Sequence, residues 1–515
     1  MMKRIAVLYL CLCLLIPAFV SAESVEEALV AGMVSNHTTE LRPLLPKERS
    51  MVSVYGAVYE SLVTIDDNGI PQPLLAEKWS ESGGGSTWIF TLREDVHFSD
   101  GTPLTAHDIV ASWDYIHLIA QSENVMDNGF YRNLIYQVSS MKATDTNTIQ
   151  VKASRDYYGL LYAMTFPVVP ASQVDTPNPV GSGPYVFSSF EPFNYVALKR
   201  NESWWRATPQ VEDIMIMLYP SNKEMITAYE YGRIDTAFTR SVSAAQYKSG
   251  ISSLSIPFAT RQLETLLMNH TSFPLNNLNI RRAIRYAINK ARIADTVYMG
   301  MNIDADTPIP ANSWLYYDQE SAYVYNVDYA KNLLAEEGWA DTDNDNILDK
   351  VVDGAQKNFY LRLCVYEDPE NDIRFETADL IVEMLEELQI KVTIDARTYD
   401  QTLTSLKAGS FDLALCAFEM DVVPDVAFFL KGGAPENYCR YKSSEMDKLI
   451  NTLRSNHDQM DYAYTTRAIQ QQFEKDVPFI CLFYRTGSIL TRKMFTSVRS
   501  LREYELLRGI ESFGN

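Results

Sequence analysis

The chain has 515 residues, more than one hydrophobic core accommodates, so two or three domains are expected. Its formal charge of −21, from 66 acidic against 45 basic residues, argues against nucleic acid or anionic lipid as a partner. The 31 Tyr, 22 Phe and 7 Trp suit a large core together with a ligand cavity.

In chain order, the first signal is one of export. Lys3 and Arg4 precede an apolar stretch over residues 5–16, Pro17 breaks it, and Val20-Ser21-Ala22 supplies the small residues a signal peptidase needs. Cleavage after Ala22 would start the mature chain at Glu23 and, by removing Lys3 and Arg4, take the charge from −21 to −23. The stretch falls short of the roughly 20 residues of a membrane span. Cys11 and Cys13 lie inside it, which leaves no cysteine placed for lipid attachment. A periplasmic protein that is not a lipoprotein is expected. No later segment has the length of a span, and residues 413–418 are strand-sized.

Strands and helices then interleave. Trp88, Phe90 and Leu92 alternate along Thr87–Leu92 and predict a strand, with a turn at residues 99–103. Thr105 is expected to cap a helix with Asp108 at the reciprocal position and Ile109, Val110, Trp113 and Ile116 on the buried face. Gly181-Ser182-Gly183-Pro184 reads as a turn into a strand at Tyr185. Ile280, Ala283, Ile284, Ala287 and Ile288 keep helical spacing, with the stop at Gly300. Asp328 is expected to cap a helix that buries Leu333 and Leu334 and ends at Gly338. A third helix carries Leu380, Ile381, Met384, Leu385 and Leu388 and leads into a strand at Lys391. This order implies α/β layers. Boundaries are expected near Met51, Pro179, residues 263–269 and Val477.

The cysteines beyond the export signal are Cys364, Cys416, Cys439 and Cys481, without the C-x-x-C spacing of a zinc site. Export permits one disulfide, for which Cys416 with Cys439 is preferred, the alternative being buried thiols. No G-x-S-x-G, H-E-x-x-H or G-x-x-x-x-G-K-[ST] motif is present, and the six histidines form no metal-ligand pair, so a non-enzyme without a cofactor is expected. Asp341, Asp343, Asp345 and Asp349 imitate a Ca²⁺ loop with Ile347 at the backbone-ligand position. Asn346 stands where that loop has glycine, and Val352 where it has its bidentate glutamate. The segment therefore reads as a solvated acidic turn, with a weak Ca²⁺ site as the alternative.

Several segments also carry a family resemblance. Leu75-Ala76-Glu77-Lys78-Trp79 is followed by Trp88-x-Phe90-x-Leu92-Arg93 and by Phe98-Ser99-Asp100-Gly101-Thr102-Pro103-Leu104-Thr105-Ala106-x-Asp108. Gly183-Pro184-Tyr185, Arg200-Asn201-x-x-Trp204-Trp205, Tyr231-Gly232-Arg233-Ile234-Asp235, Ile280-Arg281-x-Ala283-Ile284 and Phe411-Asp412-Leu413-Ala414 continue in order. This succession resembles the family 5 extracellular solute-binding proteins of oligopeptide, dipeptide and nickel ABC importers, and it spans the chain beyond the signal. The resemblance implies a two-lobed periplasmic-binding-protein fold of mixed sheets flanked by helices, with an extra subdomain in lobe one and a hinge of two crossings. Lobe one would hold residues 23–50, 179–262 and 478–515, with 51–178 as its subdomain, and lobe two 263–477.

It also implies a monomeric receptor that closes over a short peptide or other small solute and delivers it to an inner-membrane ABC permease. Asp421 matches the position that pairs with a peptide's ammonium group, a cap beside Pro424 being its structural alternative. Glu419 adds a second acid beside Phe418, in a stretch, Ala417-Phe418-Glu419-Met420, that departs from the Trp and Gly of many relatives. Arg49, in the loop 47–49, would offer backbone pairing to an extended peptide. Phe238, Thr239 and Arg240 would face the cleft, with Arg240 taking a carboxylate. Tyr131, Tyr399, Asn437 and Tyr484 complete the candidates. A nickel or metal-chelate receptor and a secreted hydrolase on a similar scaffold are the competing functions.

Overall fold

The computed structural model describes residues 28–120, 129–155, 157–247, 254–318, 324–367, 373–420, 425–493 and 501–512. The expected signal segment and Asp421 lie outside these residues. Among the described residues no helix is long and apolar enough to cross a membrane.

Strand β1 (Leu29–Val34) leads to helix α1 (Arg49–Val58) and a small hairpin, β2 (Val63–Ile65) with β3 (Pro71–Pro73). A separate antiparallel sheet follows, built from β4 (Ala76–Ser82), β5 (Thr87–Leu92), β6 (Val138–Ala143) and β7 (Thr148–Ala153) in the order β4-β5-β7-β6. The alternation read in Thr87–Leu92 is realised, since Trp88, Phe90 and Leu92 are all buried. Asp108 accepts hydrogen bonds from both the amide and the hydroxyl of Thr105, each at 2.8 Å, at the head of the helix Ala106–Ala120.

The main sheet gathers β8 (Tyr185–Glu191), β9 (Tyr195–Arg200), β10 (Asp213–Tyr219) and β11 (Thr236–Thr239) around β1, in the order β8-β9-β10-β1-β11. The turn before β8 needs glycine at residue 181, where a Cβ would stand 2.1 Å from the Val58 carbonyl oxygen. Strand β12 (Leu254–Met268) leaves this region, and β13 (Asn302–Asp304) and the hairpin β14 (Asp349–Val352) with β15 (Ala355–Asn358) come next. Strands β16 (Tyr360–Tyr366), β17 (Lys391–Arg397) and β18 (Leu413–Glu419) form the other end of the sheet, and β19 (Phe479–Thr491) returns through it. The full order is β17-β16-β18-β12-β19-β11-β1-β10-β9-β8, with β13 on β19.

Two strands therefore belong to both ends. Residues Leu254 to Ala259 of β12 pair with Thr491 to Thr486 of β19, and Thr236 to Thr239 of β11 lie against Thr491 to Ser488. A bulge between Ala259 and Leu263 interrupts the ladder, after which β12 pairs with Phe479 to Tyr484 on one side and with β18 on the other. The bulge keeps its polar groups satisfied: Thr260 donates its hydroxyl to the Arg485 carbonyl at 2.8 Å, and the Arg261 carbonyl accepts the Met420 amide at 2.8 Å. Gly487 lies against it, where a Cβ would come 2.1 Å from the Phe258 ring. A bulge raises local twist and re-aims side chains. Here it turns Arg261 toward the C-terminal segment.

One apolar core joins α1, the four-stranded sheet and Phe418, Phe429 and Phe473. A second surrounds Leu266, Ile284, Leu363, Ile381 and Leu413. Three local expectations need correction. The periodicity of residues 280–288 does not run to Gly300, because the Asn289 side chain accepts the Arg292 amide at 3.0 Å and starts a new helix, Lys290–Thr296, after Leu278–Ala287. The cap of Val327–Glu336 is Asn326, which accepts the Tyr329 amide at 2.9 Å, while Asp328 sits in the first turn, where a negative charge suits the helix dipole. Cys416 and Cys439 are not joined: all four described cysteines are free thiols. Cys416 lies in β18 and Cys439 donates to Asn437 Oδ1 at 3.5 Å, so each is held by its own segment.

Candidate functional site

The crossing of β12 and β19 concentrates charge. β18 ends at Glu419, whose register partner on β12 is Gln262. The preceding residue, Phe418, points the other way and is buried against Phe429, with centroids 4.9 Å apart. The pleat thus divides two adjacent residues between core and cleft. Arg49, the first residue of α1, donates to Glu419 Oε2 at 2.9 Å, and the Tyr504 hydroxyl donates to Oε1 at 2.8 Å. Arg261 lies over the Tyr504 ring at 4.2 Å, and Phe130 meets that ring edge-on at 5.3 Å. Burial is the first cause that pushes the Tyr504 phenol up to about 12, so it stays protonated and donates at neutral pH.

Glu48, just before α1, fixes where Arg49 starts. Its carboxylate accepts the Asn36 amide at 2.6 Å, the His37 amide at 2.5 Å and the Thr38 hydroxyl at 2.8 Å, with Ser35 as a further donor. Burial alone would raise this carboxyl, but the four hydrogen bonds outweigh it and hold it below the usual range. The backbone at residue 49 is anchored while the arginine side chain remains 45% exposed.

A second ion pair lies deeper. Arg240, after β11, makes a bidentate contact with Glu503, and its carbonyl accepts from Arg485 at 3.3 Å. Burial would lower this guanidinium, and Glu503 more than offsets that, leaving it above its ordinary value. The carboxylate proposed for Arg240 from sequence is thus already supplied by the chain itself. Glu503 is held by backbone bonds, its amide donating to Ala259 at 3.0 Å beside the bulge.

A cavity of about 280 Å³ adjoins Arg261 and Tyr504. It lies between α1, the β2–β3 hairpin, residues 130–134 and 162–167, and the C-terminal segment 504–511. This is just below the range for small-molecule sites, about 300–1,000 Å³. Its wall includes Glu60, buried and accepting from Trp205 at 2.8 Å, Ser182 at 3.0 Å and Trp204 at 3.4 Å. Burial raises the Glu60 carboxyl above its ordinary value despite these donors. Arg206 covers Trp205 at 4.5 Å on the same wall. Tyr131 also lines the cavity and donates to the Pro43 carbonyl at 2.6 Å.

The structure brings Arg49, Glu419 and Tyr131 to this region and Arg240 just behind it. It sets the other candidates elsewhere. Thr239 is buried and donates to Asn222 at 2.9 Å, and Phe238 is a core residue. Tyr484 is buried and donates to the Pro308 carbonyl at 2.7 Å. Asn437 ties a turn by donating to the Lys431 and Tyr441 carbonyls at 3.1 Å and 2.8 Å. Tyr399 is exposed and meets Tyr366 edge-on at 5.6 Å. Asp421 lies outside the described residues. The acidic loop places one carboxylate oxygen of Asp341, Asp343 and Asp345 within 4.8 Å of one another. Asp349 turns instead to Thr342, accepting its amide at 2.8 Å and its hydroxyl at 2.7 Å. Sequence reasoning passed over Glu60, Arg261, Glu503 and Tyr504. Only Glu60 had a signal in reach, as an acid inside the otherwise apolar stretch that ends α1.

A sheet shared by two ends, two strands crossing between them at a bulge, and a charged cluster beside a cavity frame the candidate site. Comparison with known proteins gives the family. Residues 71–437 match the model of the bacterial extracellular solute-binding proteins, family 5. The oligopeptide-binding protein AppA of Bacillus subtilis is 24% identical over 487 residues, covering 88% of this chain and 86% of that protein. The nickel-binding periplasmic protein of Escherichia coli is 30% identical over 312 residues, 55% of this chain and 56% of that one. The structure of NikA from Brucella suis in complex with Fe(III)-EDTA superposes with a TM-score of 0.79 at 21% identity, covering 95% of this chain and 99% of that one.

The chain belongs to the family 5 bacterial extracellular solute-binding proteins. It is a non-enzymatic receptor that binds a small solute and works with an ABC importer.

Proposed function

We propose that this receptor captures short peptides. On this reading the chain is exported, cleaved after Ala22 and free in the periplasm as a monomer. It closes the lobe of residues 23–50, 179–262 and 478–515, with subdomain 51–178, against residues 263–477, and passes its cargo to an inner-membrane permease. The observation that carries the reading is the edge of β18. This strand pairs with β16 only at Leu413 and Ala414, whereas β12 covers its other side as far as Glu419. Among the described residues no strand pairs with the first edge beyond Ala414. An extended peptide adds to such an edge through its main chain, whatever its side chains. Its ammonium end would then meet the carboxylate of Glu419, with Asp421 two residues further on. Oligopeptide-binding AppA supports the reading by resemblance along most of the chain.

Calorimetry with di- to pentapeptides tests it on the wild type, Glu419→Gln and Asp421→Ala. Loss of about tenfold or more in affinity is expected for at least one variant, the worth of a charge-assisted hydrogen bond. Equal affinities in all three would remove the anchor.

A second reading, an anionic metal chelate, is favoured by Arg206 and Arg261 on the cavity wall. Chelate carboxylates could pair with these guanidinium groups without any histidine ligand. Nickel or iron retained by freshly purified protein, with no peptide, would decide for it.

A further inference from the structure

The two oxygens of Glu419 are both taken by the protein's own donors, Arg49 on Oε2 and Tyr504 on Oε1. The two contacts differ in kind. Tyr504 is neutral, largely buried and stacked under Arg261, so it donates to the carboxylate without pairing its charge, which Arg240 also feels from behind without bonding to it. Arg49 cancels that charge from a partly wet position, with side-chain exposures of 45% and 36% for the two partners. Among the described residues Arg49 makes its ion pair with Glu419, and its side chain reaches from the anchored backbone before α1 into partly exposed space. Arg49 therefore occupies, as a guanidinium, the place where a solute's ammonium would sit.

We propose that Arg49 and Glu419 form an exchangeable pair that selects zwitterionic solutes of dipeptide length. The inference rests on the peptide reading above. The solute ammonium replaces the Arg49 guanidinium on Glu419, and the released guanidinium takes the solute's carboxylate. Both protein charges stay paired, because one ion pair is exchanged for two and the solute brings one charge of each sign. An amine that lacks the carboxylate strands Arg49. An N-acylated peptide offers nothing to displace Arg49 from Glu419. Tyr504 keeps donating to Oε1 in either state and does not discriminate. An extended dipeptide spans at most about 7 Å, within the swing of one arginine side chain. Longer peptides carry their carboxylate beyond it, so the selection fades with length.

Calorimetry with dialanine, dialanine amide and N-acetyl-dialanine tests the exchange on the full chain in three forms: wild type, Arg49→Gln and Arg49→Lys. Wild type is expected to bind dialanine about tenfold more tightly than its amide, as one charge-assisted contact would supply. In Arg49→Gln that ratio falls below about twofold, with Arg49→Lys, which keeps the charge but not the bidentate fork, between the two. Equal binding of dialanine and its amide by wild type overturns the proposal, as does an unchanged ratio in Arg49→Gln. Binding of tri- to pentapeptides but none of the dialanines also overturns it, while leaving the peptide reading in place. If no peptide binds and a nickel chelate does, the peptide reading itself falls.

Discussion

Two arginine–glutamate pairs lie at the same strand crossing and face different fates. Arg240–Glu503 has side-chain exposures of 24% and 6%, and Glu503 is clamped by backbone bonds to the bulge. Arg49–Glu419 has 45% and 36%. The chemistry is alike, but the solvent is not. Water screens the outer pair, so its net worth is about 0–1 kcal/mol. The inner pair has shed most of its water, and removing one partner would leave a largely buried charge at a cost of about 3–5 kcal/mol. The first is therefore part of the scaffold, and the second is weak enough for a solute to take apart.

The comparison breaks most readily at the inner pair. Glu503→Ala is expected to lower stability by roughly 3–5 kcal/mol, read by urea denaturation. A loss under about 1 kcal/mol would mean that the two pairs do not differ in kind.

The next effect lies at the far end of β12, where burial, helped by Arg281, holds the His270 imidazole down to about 4. Arg281 and Asp476 face this ring, and its Nε2 lies 2.8 Å from the Pro478 carbonyl. Because the unfolded chain takes up the proton first, stability present above about pH 6.5 is lost as pH falls toward 4, by on the order of 3 kcal/mol. His270→Gln should flatten that part of the pH profile. A wild-type profile level between pH 6.5 and 4.5 would contradict the buried neutral imidazole.

The outer pair gives the smallest stability effects. Glu419→Gln is expected to cost no more than about 1 kcal/mol of stability. Arg49→Gln should cost less still, about 0.5 kcal/mol, and 1 M salt should erase its difference from wild type. A salt-independent loss of several kcal/mol for Arg49→Gln would place this pair with the scaffold too.

How much of this was legible beforehand depends on range. Strand β5 was readable because Trp88, Phe90 and Leu92 alternate within six residues, and Asp108 was readable as the partner of Thr105 three residues away. Even at short range competition intervened: Asn289 and Asn326 out-compete the expected helix ends because an Asn side chain next to a free amide caps more directly than periodicity can reveal. The site was legible only in part. Glu419 was singled out through its segment, and Arg49 was singled out for backbone pairing, but their contact joins residues 370 apart in the chain. Tyr504 and Glu503 sit in no motif and acquire their roles from where the C-terminal segment docks.

By itself, the sequence determined element types, the α/β class and the family signature, because caps, turns and periodicity act within a few residues. Only the tertiary structure decided which charges meet. The register of β18 on β12 turns Phe418 inward and Glu419 outward, and the bulge at residues 260–262 aims Arg261 at Tyr504. A shift of that register by one residue would exchange the two faces, so the charged cleft is a property of the crossing and not of any one segment.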